Sequence, residues 1–343
     1  MRYLIIIIFS LAISSCSKEN NKASQQFFYL RNNGSDMPVW AEGNFSQDKF
    51  VLVVHGGPGG NGQIYNALTG MSDPLEKEFV MLYWDQRGSG NSKGKLKKED
   101  YKITNYIDDL DKLVDLIHAK YGQNKKVYLL GHSWGGTLTA AYLTNAARAA
   151  KVAGWIELDG AHDFGNNTLV HQRILDESGR QKLLAGANQS RWEEIHNAVS
   201  IINPASPSDA QISQLNAIGF EMGTLLIDSI ANDGGEFDAA KFTFNSAYNP
   251  LTATLNEMQT NSWMFSDLKT ANYTNQLDNL AIPSLFMWGR HDYVVPVESG
   301  IELYNRIQNP DKTMVIFTAS GHSPMSNQLS DFLDVLTGWL RSH

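Results

Sequence analysis

Of the 343 residues only one is a cysteine, Cys16, so no disulfide framework can staple this chain. Charge is sparse as well. Lys, Arg, Asp and Glu make up 19% of the residues, with 36 acids against 28 bases and a net charge of −8. No basic block is dense enough to track a phosphate backbone, which argues against a nucleic acid partner. The densest basic run, "SKGKLKKED" at residues 92–100, is diluted by its own acids and reads as a solvated loop. Internal repeats and low-complexity tracts are missing. No apolar run approaches the roughly 20 residues that a bilayer span requires. What remains is ordinary globular composition, 42% apolar, in a chain long enough for a large core.

The N-terminus departs from that composition. "MRYLIIIIFSLAISSC" places one arginine before a nearly unbroken apolar run from Tyr3 to Ile13, then small residues. A positive start, a short apolar centre and a small-residue exit form the pattern of an export signal. Its last four residues, Ile13-Ser14-Ser15-Cys16, look like a bacterial lipobox, whose cysteine becomes the lipidated first residue of the mature protein. The expectation is an exported lipoprotein anchored to a membrane through Cys16, with residues 17–25 as a polar tether. The alternative is an ordinary cleaved signal with an incidental cysteine.

Beyond the tether, apolar strand-like runs alternate with helix-like periodicity. "FFYLR", "MPVWAEG", "KFVLVVHGG" and "FVMLYWDQRGSG" come first. A helix follows from about Thr104 to Tyr121, with Ile107, Leu110, Leu113, Val114 and Ile117 on one face. "KVYLL", the helical "GTLTAAYLTNAARAA" and the strand "VAGWIELDGA" complete this half. Residues 161–279 are more polar and broken by Asn, Ser, Gly and Pro. Strand and helix then resume to the end. The near-continuous apolar strands predict a mostly parallel sheet covered on both faces, an α/β fold. The division expected is a core over 26–160 and 280–343, with 161–279 inserted after the sixth strand.

Gly131-His132-Ser133-Trp134-Gly135 fits G-x-S-x-G with a strand before it and a helix after, the context this motif needs. The sharp turn lifts the serine hydroxyl out of the sheet, beside the first N–H groups of the helix, where negative charge can be stabilised. The simpler reading is a helix cap in a tight turn. A serine nucleophile requires a base and an orienting carboxylate, in the chain order serine, acid, histidine. Asp292, at the end of "SLFMWGRHD", and His322, in "TASGH", both lie where strands run out, the edge at which open parallel sheets bind ligands. Asp159 and Asp163 are rival acids. His55, His132 and His291 read as structural or supporting groups, and His118, His171 and His196 as surface residues on helices. The oxyanion donors expected are the N–H of Trp134 and that of Gly57 in "HGGPGG", with Gly56 second.

"HGGPGG", "DQRGSG", "GHSWGG", "GRHD" and the C-terminal "GH", in this order, resemble the proline iminopeptidases of the α/β-hydrolase superfamily. The resemblance covers roughly residues 48–160 and 280–340. It implies Ser133 as nucleophile, Asp292 as orienting acid, His322 as base, and Gly57 with Trp134 for the oxyanion. Asp85 to Gly88 would be a supporting loop, and 161–279 a helical cap. In that family cap glutamates hold the substrate's free α-amino group, and Trp192-Glu193, with Glu221 second, are the counterparts here. The same helix could equally be an ordinary exposed one. Cap aromatics Phe220, Phe242, Phe244, Tyr248, Trp263, Phe265 and Tyr273 are candidates to line an apolar pocket. The expected activity is release of N-terminal residues, proline favoured, from short peptides through an acyl-enzyme, with no metal or organic cofactor. An ester, lactone or amide substrate without a free amine is the rival. A non-catalytic binding protein on the same scaffold is the remoter one.

Overall fold

The computed structural model describes residues 24–184, 186, 188–227, 236–245 and 249–343. Cys16 and the tether as far as residue 23 therefore lie outside the described residues. Nine strands form one sheet: β1 Ser24–Asn32, β2 Ser35–Gly43, β3 Lys49–Val54, β4 Val80–Trp84, β5 Lys93–Gly94, β6 Lys126–His132, β7 Gly154–Leu158, β8 Ser284–Gly289 and β9 Lys312–Phe317. Their order is β1-β2-β4-β3-β6-β7-β8-β9, with β5 beside β2. β1, β2 and β5 pair antiparallel, and everything from β4 across to β9 is parallel.

The strand sequences explain this arrangement. In β3, Phe50, Leu52 and Val54 enter one core cluster while Val51 and Val53 enter another on the opposite face. A strand apolar on both sides must be covered on both, and it is. The helices Ile103–Tyr121, Trp134–Leu143 and Val297–Arg306 supply the first cluster. Thr69–Glu78 and Leu329–Ser342 supply the second. The helix Trp134–Leu143 is buried all round, which accounts for its lack of a polar face. At the sheet edge β1 alternates between exposed and half-buried positions, as a strand solvated on one side should.

Two boundaries differ from the sequence reading. Ser24 and Gln25, assigned to the tether, already pair with Gly43 and Glu42 in β1. Within the basic run, Lys93 and Gly94 pair with Asp36 and Ser35, so this exposed stretch adds a two-residue strand and the insertion follows the seventh strand rather than the sixth. Two residues carry too little pattern to be read as a strand.

Between β7 and β8 lie the helices Asn167–Gln181, Gln189–Ser200, Asp209–Ile227 and Pro250–Leu268. The first three share a small core of their own, including Ile174, Trp192, Ile195, Val199, Leu215 and Met222, into which Tyr293 projects from the loop after β8. His171, read as a surface residue, is buried there, its Nε2 3.0 Å from the carbonyl of Val199. It ties two of the helices together. Among the described residues no helix is long and apolar enough to cross a membrane.

Candidate active site

The turn after β6 places Ser133 in a backbone conformation that side chains rarely adopt, φ 57° and ψ −121°. Such strain persists only where surrounding contacts over-determine it. Here Ser133 N–H donates to the Leu158 carbonyl, and the Ser133 carbonyl accepts from Gly136 and Ala161, at 3.1, 2.8 and 3.0 Å. The turn also needs Gly135, since a Cβ there would stand 1.8 Å from the Val54 carbonyl oxygen of β3. Ser133 is therefore a helix-entry residue whose own side chain makes no capping hydrogen bond. The hydroxyl instead borders a cavity of about 650 Å³.

Asp292 and His322, 30 residues apart and on loops following β8 and β9, meet. His322 Nδ1 lies 2.8 Å from Asp292 Oδ2, and both side chains are buried. The other carboxylate oxygen accepts the N–H groups of Val294 and Val295 at 2.8 Å each, which fixes the acid. With Nδ1 committed to the carboxylate, Nε2 is the ring nitrogen left over. That nitrogen is buried and has no hydrogen-bond partner among the described residues, Ser133 included. Such contacts are often long in an empty site and tighten around substrate.

The rival acids are also placed. Asp159, after β7, is fully buried, accepts from Gly289 N–H at 2.8 Å and lies against Asp292 rather than His322. Burial and the neighbouring Asp292 charge push its carboxyl well above the usual range. Asp163 stands on the cavity wall. Burial pushes its carboxyl up too, against the pull of His162 and a hydrogen bond from Asn166.

The loop His55–Gly60 packs directly on the Ser133 turn. A Cβ on Gly56 would come within 3.2 Å of Ser133 Cβ. Gly56 N–H is engaged, donating to the Tyr65 hydroxyl at 3.1 Å. Among the described residues neither Gly57 nor Trp134 N–H has an acceptor, and Gly57 borders the cavity beside Ser133. That geometry favours Gly57 over Gly56 as an anion donor. Gln86 joins the two donor-bearing segments: its amide donates to the His55 carbonyl at 3.0 Å and accepts from the Trp134 indole at 2.8 Å. Arg87, next in the chain, forms a fully buried pair with Asp109, Nε to Oδ2 at 2.5 Å and Nη2 to Oδ1 at 2.7 Å. Asp85 accepts from the Gly62 and Asn91 N–H groups at 2.8 and 2.7 Å. The loop braces these segments, the supporting role that the family resemblance implied.

The segment between β7 and β8 contributes most of the remaining cavity wall, and Val294 to Pro296 with Ser299, after β8, complete it. Phe220 meets the His322 ring edge-on at 5.3 Å between centroids, and Phe265 and Phe164 add apolar surface. Of the other aromatics considered, Trp263 packs against Tyr101, Phe242 against Phe237, and Tyr273 against the main core. The Phe244 side chain and Tyr248 lie outside the described residues. Glu193 and Glu221 do not reach the cavity. Trp192 turns into the helical core, so its neighbour about 100° further round the helix faces solvent. Glu221 is taken by Arg191, whose guanidinium contacts it at 2.5 and 2.8 Å and holds its carboxyl below the usual range. Phe164, Asn166 and Asp209 are among the wall residues that sequence alone did not assign, and Asp163, read there only as a rival acid, joins them, for nothing in these segments marks which side chains face a cavity.

A mostly parallel eight-strand path, a strained serine turn after the central β6 and a His–Asp pair on the loops after β8 and β9 define an α/β-hydrolase. The family model of the alpha/beta hydrolase fold matches residues 49–327, and the chain belongs to that family. Several of its relatives are proline iminopeptidases. A probable aminopeptidase of Bacillus subtilis is 24% identical over 308 residues, covering 87% of this chain and 90% of that one. A proline iminopeptidase of Saccharolobus solfataricus is 24% identical over 287 residues, 83% of each chain. Among solved structures, the proline iminopeptidase of Mycobacterium smegmatis superposes with a TM-score of 0.62 at 16% identity, over 93% of this chain and 98% of that one. An esterase from Exiguobacterium antarcticum gives 0.60 at 16%, over 93% and 100%. At such identities the two structures speak for the fold alone. Family and relatives together support hydrolase activity for this chain.

Proposed function

We propose that this protein is a serine hydrolase that releases N-terminal residues, proline favoured, from short peptides. The observation that carries the reading is one cavity bordered by Ser133, by Gly57 and by the carboxyl-bearing Asp163. Ser133 attacks the scissile carbonyl while His322 Nε2 accepts its proton. Asp292 holds the ring and balances the imidazolium charge. The oxyanion rests on the N–H groups of Gly57 and Trp134. His322 then returns the proton to the leaving amine, and water resolves the acyl-enzyme by the same route. The substrate's free ammonium group needs fixed negative charge near the nucleophile. Asp163 fills that role in this reading, in place of Glu193 and Glu221. An arriving ammonium restores the ionised state that burial opposes.

The apolar walls contributed by Phe164, Phe220 and Phe265 favour a second reading, an ester or amide without a free amine. One panel separates them: aminoacyl-naphthylamides, their N-blocked forms and simple esters, assayed with wild type and Asp163→Asn. The aminopeptidase reading expects turnover of free substrates, none of blocked ones, and a KM raised at least tenfold by Asp163→Asn. Equal cleavage of blocked and free substrates refutes it, and so does ester hydrolysis alone.

The first sixteen residues support a further part of the proposal, export and membrane attachment through a lipid on Cys16. Growth with labelled palmitate should label the wild type and not Cys16→Ala. Equal labelling, or none in either, counts against the anchor.

A further inference from the structure

We infer that Tyr65 and His132 form a positioning relay that holds the oxyanion loop and the loop of the base against the nucleophile turn. The inference rests on the serine-hydrolase reading above. Four groups from separate parts of the chain lie in one line. Gly56 N–H is 3.1 Å from the Tyr65 hydroxyl, which is 2.6 Å from His132 Nδ1. His132 Nε2 is 2.9 Å from the His322 carbonyl oxygen. The links span 9, 67 and 190 residues of sequence.

Chemistry at the two ends fixes the direction of every bond between them. The His322 carbonyl can only accept, so Nε2 of His132 carries the hydrogen. Nδ1 is then a bare acceptor, and the Tyr65 hydroxyl donates to it. The same oxygen keeps lone pairs for the Gly56 N–H, which can only donate. No member is left unsatisfied. Both side chains are buried, so the hydroxyl would be costly there without its two partners. A phenylalanine would fill the space equally well, which makes the oxygen, rather than the ring, the feature to explain. Burial, reinforced by His322, holds the His132 imidazole down to about 3, so the ring stays neutral across ordinary pH. Neutrality matters because its ring lies 5.1 Å from that of His322, where a positive charge would oppose the imidazolium formed in turnover.

The functional consequence lies in what the relay occupies. By consuming the Gly56 N–H it fixes the orientation of the next peptide, whose Gly57 N–H is left for the oxyanion. By gripping the His322 backbone it sets the base in relation to Ser133, the residue directly after His132. Tyr65 and His132 touch no reacting atom; they act through Gly57 and His322.

The test uses the full-length protein, its best chromogenic substrate and an aminoacyl or alkyl boronic acid, which forms a tetrahedral adduct on an active serine. Tyr65→Phe removes one oxygen. The expected result is kcat lowered about tenfold, KM within twofold, and boronate Ki raised about tenfold, because only the tetrahedral state uses the oxyanion donor. His132→Asn retains an acceptor near Nδ1, and His132→Gln retains a donor near Nε2. Asn should preserve the boronate Ki but move the acid limb of the kcat/KM profile; Gln should do the reverse. If Tyr65→Phe does not fold, this pair carries the test. Unchanged kcat and Ki in Tyr65→Phe overturn the relay, as does a fall in kcat with unchanged Ki. Identical behaviour of the Asn and Gln variants overturns it too. A wild type that binds neither boronate nor a fluorophosphonate fails at an earlier step, and removes the serine-hydrolase reading itself.

Discussion

Asp292→Asn is the substitution whose cost follows most directly from the geometry. The carboxylate accepts the His322 Nδ1–H at 2.8 Å, and in the proposed mechanism it also faces the imidazolium that forms as Ser133 loses its proton. Two unit charges about 4 Å apart at an effective dielectric near 20 interact by roughly 4 kcal/mol. The hydrogen bond, lost when an amide N–H₂ turns toward Nδ1–H or the ring flips to the wrong tautomer, adds about 1 kcal/mol. Roughly 5 kcal/mol off the stabilised transition state corresponds to a fall of about 10³- to 10⁴-fold in kcat. The Val294 and Val295 N–H groups still have an oxygen to donate to, so the loop and KM should change little. Asp159 offers an internal control, because it is equally buried and adjacent but bonds Gly289 rather than His322. Steady-state kinetics with one substrate across wild type, Asp292→Asn and Asp159→Asn should give losses that differ by at least tenfold, Asp292→Asn being the larger. Equal losses, or an Asp292→Asn enzyme retaining a tenth of the wild-type kcat, would refute the assignment of Asp292 as the orienting acid.

Two stability measurements probe the scaffold. Asp109→Ala leaves the Arg87 guanidinium buried without its carboxylate, at a cost of about 3–5 kcal/mol read as a lowered denaturant midpoint, while Asp36→Ala on the exposed Arg31 pair should change the midpoint by less than 1 kcal/mol. Glu76 is pushed up to about 7 by burial, despite Lys241 Nζ at 3.9 Å and a hydrogen bond from Tyr83, with Glu42 and Asp73 also near. A carboxyl raised in the folded state contributes stability that is complete below its unfolded pKa and is lost as pH rises through about 7. Glu76→Gln should therefore gain thermal stability over wild type at pH 8, on the order of 3 kcal/mol, and none near pH 4; parallel pH profiles contradict this.

How much of the site was legible depended on whether its signal was local. The glycine-flanked turn, the strand ends carrying Asp292 and His322, and the loop from His55 each carry their own pattern, and the sheet follows from apolar runs that must be covered on both sides. Sequence ranked Gly57 ahead of Gly56, but the contact that separates them physically, Tyr65 holding the Gly56 N–H, crosses the loop and no periodicity announces it. Glu193 looked like a ligand because of the tryptophan before it. Yet that tryptophan is a packing residue, and helical geometry turns its neighbour outward. Asp163 lies in a segment without periodicity, where facing a cavity is decided by three helices folding over it. His171 failed for a related reason: on a polar helix a histidine looks solvated until a second helix covers it.

The central claim is that Ser133 is the nucleophile. Intact-mass and peptide-level mass spectrometry after a fluorophosphonate probe tests it most directly, alongside turnover of the Ser133→Ala variant. The account expects one adduct, carried by Ser133, with labelling and turnover both abolished in Ser133→Ala. An adduct on another residue, or a Ser133→Ala protein that still turns over substrate at the wild-type rate, would contradict it.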